Sequence, residues 1–265
     1  MKNNELTLAL SNCVRFLAID SVERANSGHP GMPMGMADVA TVLFNEFLQF
    51  NSQDPKWLNR DRFILSAGHG SMLLYSLLFL TGYKDISIED LKSFRQLHAK
   101  CAGHPEFGHL EGIETTTGPL GQGVANAVGF ALASKYAAFC VNSETAQVID
   151  HHVYCLCGDG DLQEGISYEA LSTLGHQKIS NFTLIYDSND ITIEGDISVA
   201  WSENIPKRFE AIGFDVITID GHDFEAIDNA LTSSRDSDNP TLIIARTKIG
   251  RGAALWKGAT IHMVH

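Results

Sequence analysis

The chain has 265 residues, 44% of them hydrophobic and 19% charged, which is enough apolar content to bury a full core as one large α/β domain. Its formal net charge of −13 argues against a nucleic-acid partner or an anionic membrane surface. Met1 to Glu5 carry no signal-peptide pattern and no continuous apolar stretch reaches membrane-spanning length, so a soluble cytoplasmic protein is expected.

Leu6, Leu10, Val14, Leu17 and Val22 recur at helical spacing and stop at Asn26-Ser27-Gly28, predicting an amphipathic helix that feeds a loop bearing His29. Asp38 to Phe47 and Ser71 to Leu80 predict two further helices, the second opening directly after His69. From Cys101 to Gly123 the chain is rich in Gly, Pro and Thr and has no clean period, which predicts a long loop; loops of that length in compact domains tend to be functional. Val124, Val128, Ala131, Leu132 and Phe139 then mark a helix, so Gly118-Pro119-Leu120 stands just upstream of a helix start, where backbone groups can meet a phosphate or a ring.

The apolar run Val153 to Cys157 reads as a buried strand, Glu164 to His176 as the helix after it, and Phe182 to Tyr186 as a second strand. A helix near Glu203 to Ile212, a strand Phe214 to Ile219, a helix Phe224 to Ser233 and a strand Thr241 to Ala245 complete the pattern. Alternating strands and helices imply a parallel sheet with helices on both faces, and the absence of repeats or linkers implies a single domain over 1–265. The five cysteines include no zinc-like spacing; Cys155 and Cys157 would share one face of a strand as small buried hydrophobes.

The chemistry concentrates in a split signature. Gly158-Asp159-Gly160 ends the first buried strand, and Asn189 follows after 28 intervening residues, with Ile191 two places beyond. Asp159 would sit on a strand-to-helix turn, where unpaired backbone N–H groups and the helix dipole favour a phosphate. If the two strands are parallel neighbours, Asn189 reaches the same carboxyl edge of the sheet. The Asp159 carboxylate, the Asn189 amide oxygen and the Ile191 carbonyl would supply three hard oxygens, and two diphosphate oxygens and a water would complete the octahedron that Mg²⁺ demands. Gly-Asp-Gly by itself is common in turns, so the paired elements carry the argument.

Gly-Asp-Gly followed at this distance by Asn resembles the motif shared by thiamin-diphosphate enzymes. Ser27-Gly28-His29-Pro30-Gly31, Leu65-Ser66-Ala67-Gly68-His69-Gly70-Ser71, Gly103-His104-Pro105-Glu106 and Thr115 to Gly123 stand in that order ahead of it. Block by block, from about Leu8 to about Gly250, the chain resembles the transketolase family, and in particular that family's N-terminal diphosphate (pyrophosphate)-binding domain.

The resemblance implies thiamin diphosphate as cofactor, with Mg²⁺ (or Ca²⁺ or Mn²⁺ in its place), and transfer of a two-carbon glycolaldehyde unit from a ketose phosphate to an aldose phosphate. It also implies that His29 and His262 shuttle the proton of the donor carbonyl or C3 oxygen, that His104 holds the C1 hydroxyl, and that His69 binds diphosphate. Gly118, Pro119 and Leu120 would hold the cofactor, Gly158 and Gly160 would flank its phosphates, and Glu164 would link paired active sites across a subunit interface. Read without the family, Glu164 is a first-turn carboxylate facing the helix dipole. Of the eleven histidines, His98, His109, His151, His152, His176 and His222 carry no motif and read as surface or capping residues.

After Gly252 the sequence departs from the family pattern, and His262 is assigned only through the spacing His262-Met263-Val264-His265. A full transketolase has a pyrimidine-binding and a C-terminal domain, which would supply the glutamate that activates the aminopyrimidine and the cations that bind substrate phosphate. The chain is therefore expected to be a split subunit or a fragment, working with that complementary part as a homodimer or heterotetramer. A non-catalytic homologue that keeps thiamin diphosphate and Mg²⁺, and another ketol transferase such as dihydroxyacetone synthase, are the alternatives. A nucleotide-binding α/β protein is disfavoured, because no glycine-rich phosphate loop of that type opens a helix.

Overall fold

The computed structural model describes residues 4–192 and 195–253. The chain opens with helix α1 (Asn4–Ala25), which is ended by Asn26 in a left-handed conformation. Its buried stripe runs through Thr7, Ser11, Val14, Ala18, Ser21 and Val22, so the predicted helix is present but its apolar face is displaced: Leu6 is 55% exposed. Helix α2 (Gly31–Val42) is buried along its whole length and continues as a wider turn to Phe47. The predicted Asp38 to Phe47 helix is only its second half. Met32, Met34, Met36 and Ala37 are buried all round the helix, and a helix apolar on every side leaves no period to read.

Strand β1 (Arg62–Leu65) leads through a tight turn at Gly68–Gly70 into helix α3 (Ser71–Leu80), with the predicted bounds. A short helix α4 (Ile88–Lys92) was not predicted, although Ser87 and Asp90 form a reciprocal capping box. The predicted long loop follows, up to helix α5 (Gln122–Val141). Strand β2 (Val153–Cys157), helices α6 (Asp159–Gln163) and α7 (Gly165–Gln177), and strand β3 (Phe182–Ser188) come next. The helix expected from Glu164 is thus preceded by a separate helical turn, with Glu164 extended between the two. A small hairpin, β4 (Ile191–Thr192) with β5 (Gly195–Asp196), leads to α8 (Ile205–Ala211), β6 (Asp215–Asp220), α9 (Phe224–Asp236) and β7 (Thr241–Arg246).

The main sheet is fully parallel, in the order β1-β2-β3-β7-β6. Side chains alternate along each strand, so two cores form on its two faces. Tyr154 and Leu156 of β2 face α1, α2, α3 and α9, whereas Val153, Cys155 and Cys157 face α5, α7 and α8. Cys155 and Cys157 are therefore buried on one face, and burial holds both thiols above their ordinary range. Two helices approach their neighbours where only glycine fits. A Cβ on Gly123 of α5 would lie 2.5 Å from the Ser66 Cα, and one on Gly175 of α7 would lie 1.7 Å from the Ile212 carbonyl oxygen.

Helix α5 differs from expectation in two ways. Phe139 is 86% exposed, outside the core. The helix is also long and apolar enough to cross a membrane by length and composition, because Asn126, Ser134 and Lys135 interrupt its apolar residues without lowering their average much. Here one side of it, through Val124, Ala127, Val128 and Ala131, packs in the core on the sheet.

Candidate active site

The adjacency of β2 and β3 brings their exits together at one edge of the sheet. There a cavity of about 260 Å³ opens, and Gly158, Asp159, Gly160, Asn189 and Ile191 all line it. Asp159 is the first residue of α6, so its carboxylate stands at the end of β2 beside the backbone N–H groups of the turn. Tyr186, from β3, donates its hydroxyl to Asp159 Oδ1. Asn189 Oδ1 accepts the Ile191 N–H at 3.0 Å, and Asn189 Nδ2 donates to Asp187 Oδ2 at 3.0 Å, which fixes which end of the amide is oxygen. Asp190 adopts a left-handed backbone that reverses the chain into the β4–β5 hairpin.

The electrostatics of this corner favour a cation. Burial pushes Asp159 up to about 7; the Tyr186 hydrogen bond opposes the shift, and the charges of Asp187 and Asp190 add to it. Burial likewise raises Asp187 to about 6, against hydrogen bonds from Thr247 and Asn189. No lysine or arginine lines the cavity among the described residues. No group of three or more His, Cys, Asp or Glu has metal-binding geometry among them either. One carboxylate, one amide oxygen and one carbonyl suit a hard divalent ion that takes its remaining oxygens from a bound anion and water.

A buried carboxylate that the sequence reading missed organises the cavity floor. Asp161 accepts the Ser66 hydroxyl at 2.6 Å, the Gly121 N–H at 2.8 Å and the Gly158 N–H at 3.0 Å. Ser66 Oγ in turn accepts the Val124 N–H at 3.0 Å, and Ser167 donates to the Asp161 carbonyl. One side chain thus ties the turn after β1, the start of α5 and the turn after β2. Burial raises its pKa while these three donors lower it. The sequence signal was its place as third residue of a glycine-capped helical turn, the acceptor position of a capping box.

His29, Met32, Ala67, His69, Gly118, Leu120 and Ile249 form the rest of the wall. Gly118 and Leu120 line it as predicted, and Pro119 between them points to the exterior. A Cβ on Gly160 would lie 2.8 Å from Leu120 Cδ1, so glycine there lets the Leu120 loop close over the turn. His29 and His69 meet edge to face with ring centroids 5.3 Å apart. Burial, reinforced by electrostatic interaction with the neighbouring His29 and His104 imidazoles, lowers His69 to about 4. It is a neutral donor and acceptor at pH 7.

His104 stands just outside the cavity wall, in the adjoining groove with Ser27, Arg95 and Glu106. A Cβ on Gly118 would lie 3.2 Å from its ring. Helix α3 positions it: Ser71 Oγ donates to the Gly103 carbonyl at 3.0 Å and Tyr75 donates to the Ala102 carbonyl at 2.9 Å. Burial and then Arg95 lower its pKa, against Glu106. Glu164 is exposed at the start of α7, outside the cavity. His262 and His265 lie outside the described residues.

The family model described as transketolase, thiamine diphosphate binding domain, matches residues 7–265. The chain belongs to the transketolase family. It is 52% identical to the transketolase of Halalkalibacterium halodurans over 243 residues, which is 91% of this chain and 36% of that protein. It is 52% identical to the transketolase of Geobacillus stearothermophilus over 91% of this chain. The crystal structure of transketolase from Campylobacter jejuni superposes with a TM-score of 0.95 and 55% identity, covering 99% of this chain and 40% of that one. Transketolase from Leishmania mexicana gives 0.95 at 43% identity. The parallel sheet with helices on both faces is thus the diphosphate-binding fold of transketolases, and the chain spans little more than a third of the length of these relatives.

Proposed function

We propose that this chain is the diphosphate-binding part of a transketolase, moving a glycolaldehyde unit from a ketose phosphate to an aldose phosphate when complemented by the pyrimidine-binding and C-terminal domains. The observation that carries the reading is the convergence of Asp159, Asn189, Ile191, His29 and His69 on one cavity at the exits of adjacent parallel strands. Thiamin diphosphate, when bound, supplies an electron sink for carbon–carbon cleavage next to a carbonyl. Asp159, Asn189 and the Ile191 carbonyl hold Mg²⁺. The backbone at Gly158 and Gly160 and the His69 imidazole receive the diphosphate, and Gly118 and Leu120 enclose the ring portion.

The remaining histidines move protons. His29 at the cavity wall, with His262, takes and returns the proton of the donor hydroxyl, and His104 orients the C1 hydroxyl from the groove beside it. The cations that bind substrate phosphate belong to the complementary domains, in keeping with the acidic character of this chain. Glu164, exposed at the start of α7, bridges to a second active site in a homodimer or heterotetramer.

The test is calorimetric binding of thiamin diphosphate with and without Mg²⁺, for this chain mixed with the complementary transketolase domains, followed by a ketol-transfer assay. Binding that requires Mg²⁺, and turnover confined to the mixture, support the reading. A mixture that binds no cofactor overturns it.

A further inference from the structure

His222 carries no motif, yet its imidazole is 8% exposed and both ring nitrogens are engaged. It belongs to the turn between β6 and α9, where Asp220 and Asp223 shape the backbone through the His222 and Glu225 N–H groups. Nδ1 lies 2.9 Å from Asp38 Oδ2, and Nε2 accepts the Lys248 N–H at 3.0 Å. A backbone N–H can only donate, so Nε2 carries the lone pair and the proton sits on Nδ1, facing the carboxylate. Asp38 is itself held by Arg15, whose Nε also donates to the Met34 carbonyl at 3.0 Å. Burial alone would raise Asp38, but the His222 hydrogen bond and the Arg15 guanidinium outweigh it and hold the carboxyl below its ordinary value.

The receiving end of this chain of bonds is the segment that leaves β7. Thr247 donates its hydroxyl to Asp187 and its N–H to the Ser188 carbonyl, and the Gly250 N–H donates to the Gly31 carbonyl at 3.3 Å. Between those pins Ile249 forms part of the cavity wall. Lys248 is therefore the middle pin, and its partner is a side chain on another element. Gly35 of α2 leaves room for the segment, since a Cβ there would lie 3.3 Å from the Lys248 carbonyl oxygen.

We propose that His222 is a positioning residue for the cofactor cavity: with Asp38 and Arg15 behind it, it holds the segment from Thr247 to Gly250 so that Ile249 closes its part of the cavity wall. This rests on the reading of the cavity as the thiamin diphosphate site. The ring acts as a spacer with one donor and one acceptor, so the two ends can be removed separately. His222→Asn keeps an amide near the position of Nδ1 and loses the acceptor for Lys248. His222→Gln places an amide oxygen near the position of Nε2.

The experiment compares wild type, His222→Asn and His222→Gln, each with the complementary domains supplied. It measures hydrogen exchange at the Lys248 amide, calorimetric affinity for thiamin diphosphate with Mg²⁺, and the urea midpoint. The expected result is faster Lys248 exchange and an affinity weakened on the order of tenfold in His222→Asn, with both largely restored in His222→Gln at a similar urea midpoint. Rescue by glutamine is what a merely structural role would not produce. If the wild type binds and both variants bind as tightly, the positioning role is overturned while the cavity reading stands. If the wild type binds no thiamin diphosphate, the cavity reading itself falls and the proposal with it.

Discussion

Replacing Asp161 by alanine removes one acceptor group from three donors at once, two of them buried and the Gly158 N–H half-buried. The Ser66 hydroxyl and the Gly121 and Gly158 N–H groups all end on this carboxylate at 2.6–3.0 Å, and the residue is fully buried. A buried donor left without a partner costs roughly 1–3 kcal/mol. Burial also works against the charged carboxylate, which is why its pKa is raised, so the low end of that range applies. Three donors at about 1 kcal/mol each give a loss of about 3 kcal/mol, against a total stability of ~5–15 kcal/mol for a domain. A chain of this size loses roughly 2–4 °C per kcal/mol, so Tm should fall by about 6–12 °C.

The assay is urea and thermal unfolding of wild type, Asp161→Ala and Asp161→Asn, followed by circular dichroism. Asparagine keeps one oxygen for Ser66 and Gly121 but turns an amide N–H₂ toward the Gly158 N–H, so it should fall between the other two. A loss below about 1 kcal/mol for alanine, or an asparagine variant no better than alanine, would refute the view that this carboxylate ties the three turns together.

Asp159→Ala should abolish Mg²⁺-dependent binding of thiamin diphosphate in the complemented enzyme, because it removes the only charged oxygen of the proposed metal set; calorimetry showing retained affinity would discard that assignment. His104→Ala should leave cofactor affinity within about twofold while lowering kcat/KM by roughly 10²–10⁴, the range for a positioned acid–base group, and loss of cofactor binding instead would place His104 wrongly. Asp38 has a lowered pKa, so its contribution to stability is present above the ordinary carboxylate range and is lost as pH falls through its folded value. Relative to wild type, Asp38→Asn should therefore lose most stability near neutral pH, and the gap in urea midpoints should narrow below about pH 4; a gap independent of pH would contradict the ion-pair account. Gly175→Ala drives a Cβ into the Ile212 carbonyl and should cost roughly 1–3 kcal/mol or more, read from the same unfolding curves.

Strands β2 and β7 were legible because each is a run of consecutive apolar residues between turn residues, the pattern of a strand buried on both faces. The start of α2 was not, since helices buried on every side have no polar face to supply a period. In the cavity, residues that announce themselves by turn chemistry were found: Gly118, Gly158, Asp159 and Asn189, together with His29 and His69 of the Gly-rich loops. Asp161, Tyr186, Asp187, Thr247 and His222 were missed because their importance lies in partners far away in sequence. Asp161 meets Ser66, 95 positions away, and His222 meets Asp38, 184 positions away. His151 and His152, read as surface or capping residues, are buried, and His152 bonds Thr183 through Nε2 at 2.7 Å. Local pattern reports what a residue does to its own backbone, and these side chains act on someone else's.

The Asp187 carboxylate receives Thr247 from the exit of β7 on one oxygen and Asn189 from the exit of β3 on the other. Two neighbouring strand ends are thereby cross-braced, as the turns after β1 and β2 are by Asp161. Such a rim is shaped when the chain folds, before any ligand arrives. The conformational entropy of arranging the receptor has already been spent at folding, so little remains to be lost on association. A guest entering the cavity should find these braced strand ends already in place, so ordering them adds little to what capture must overcome.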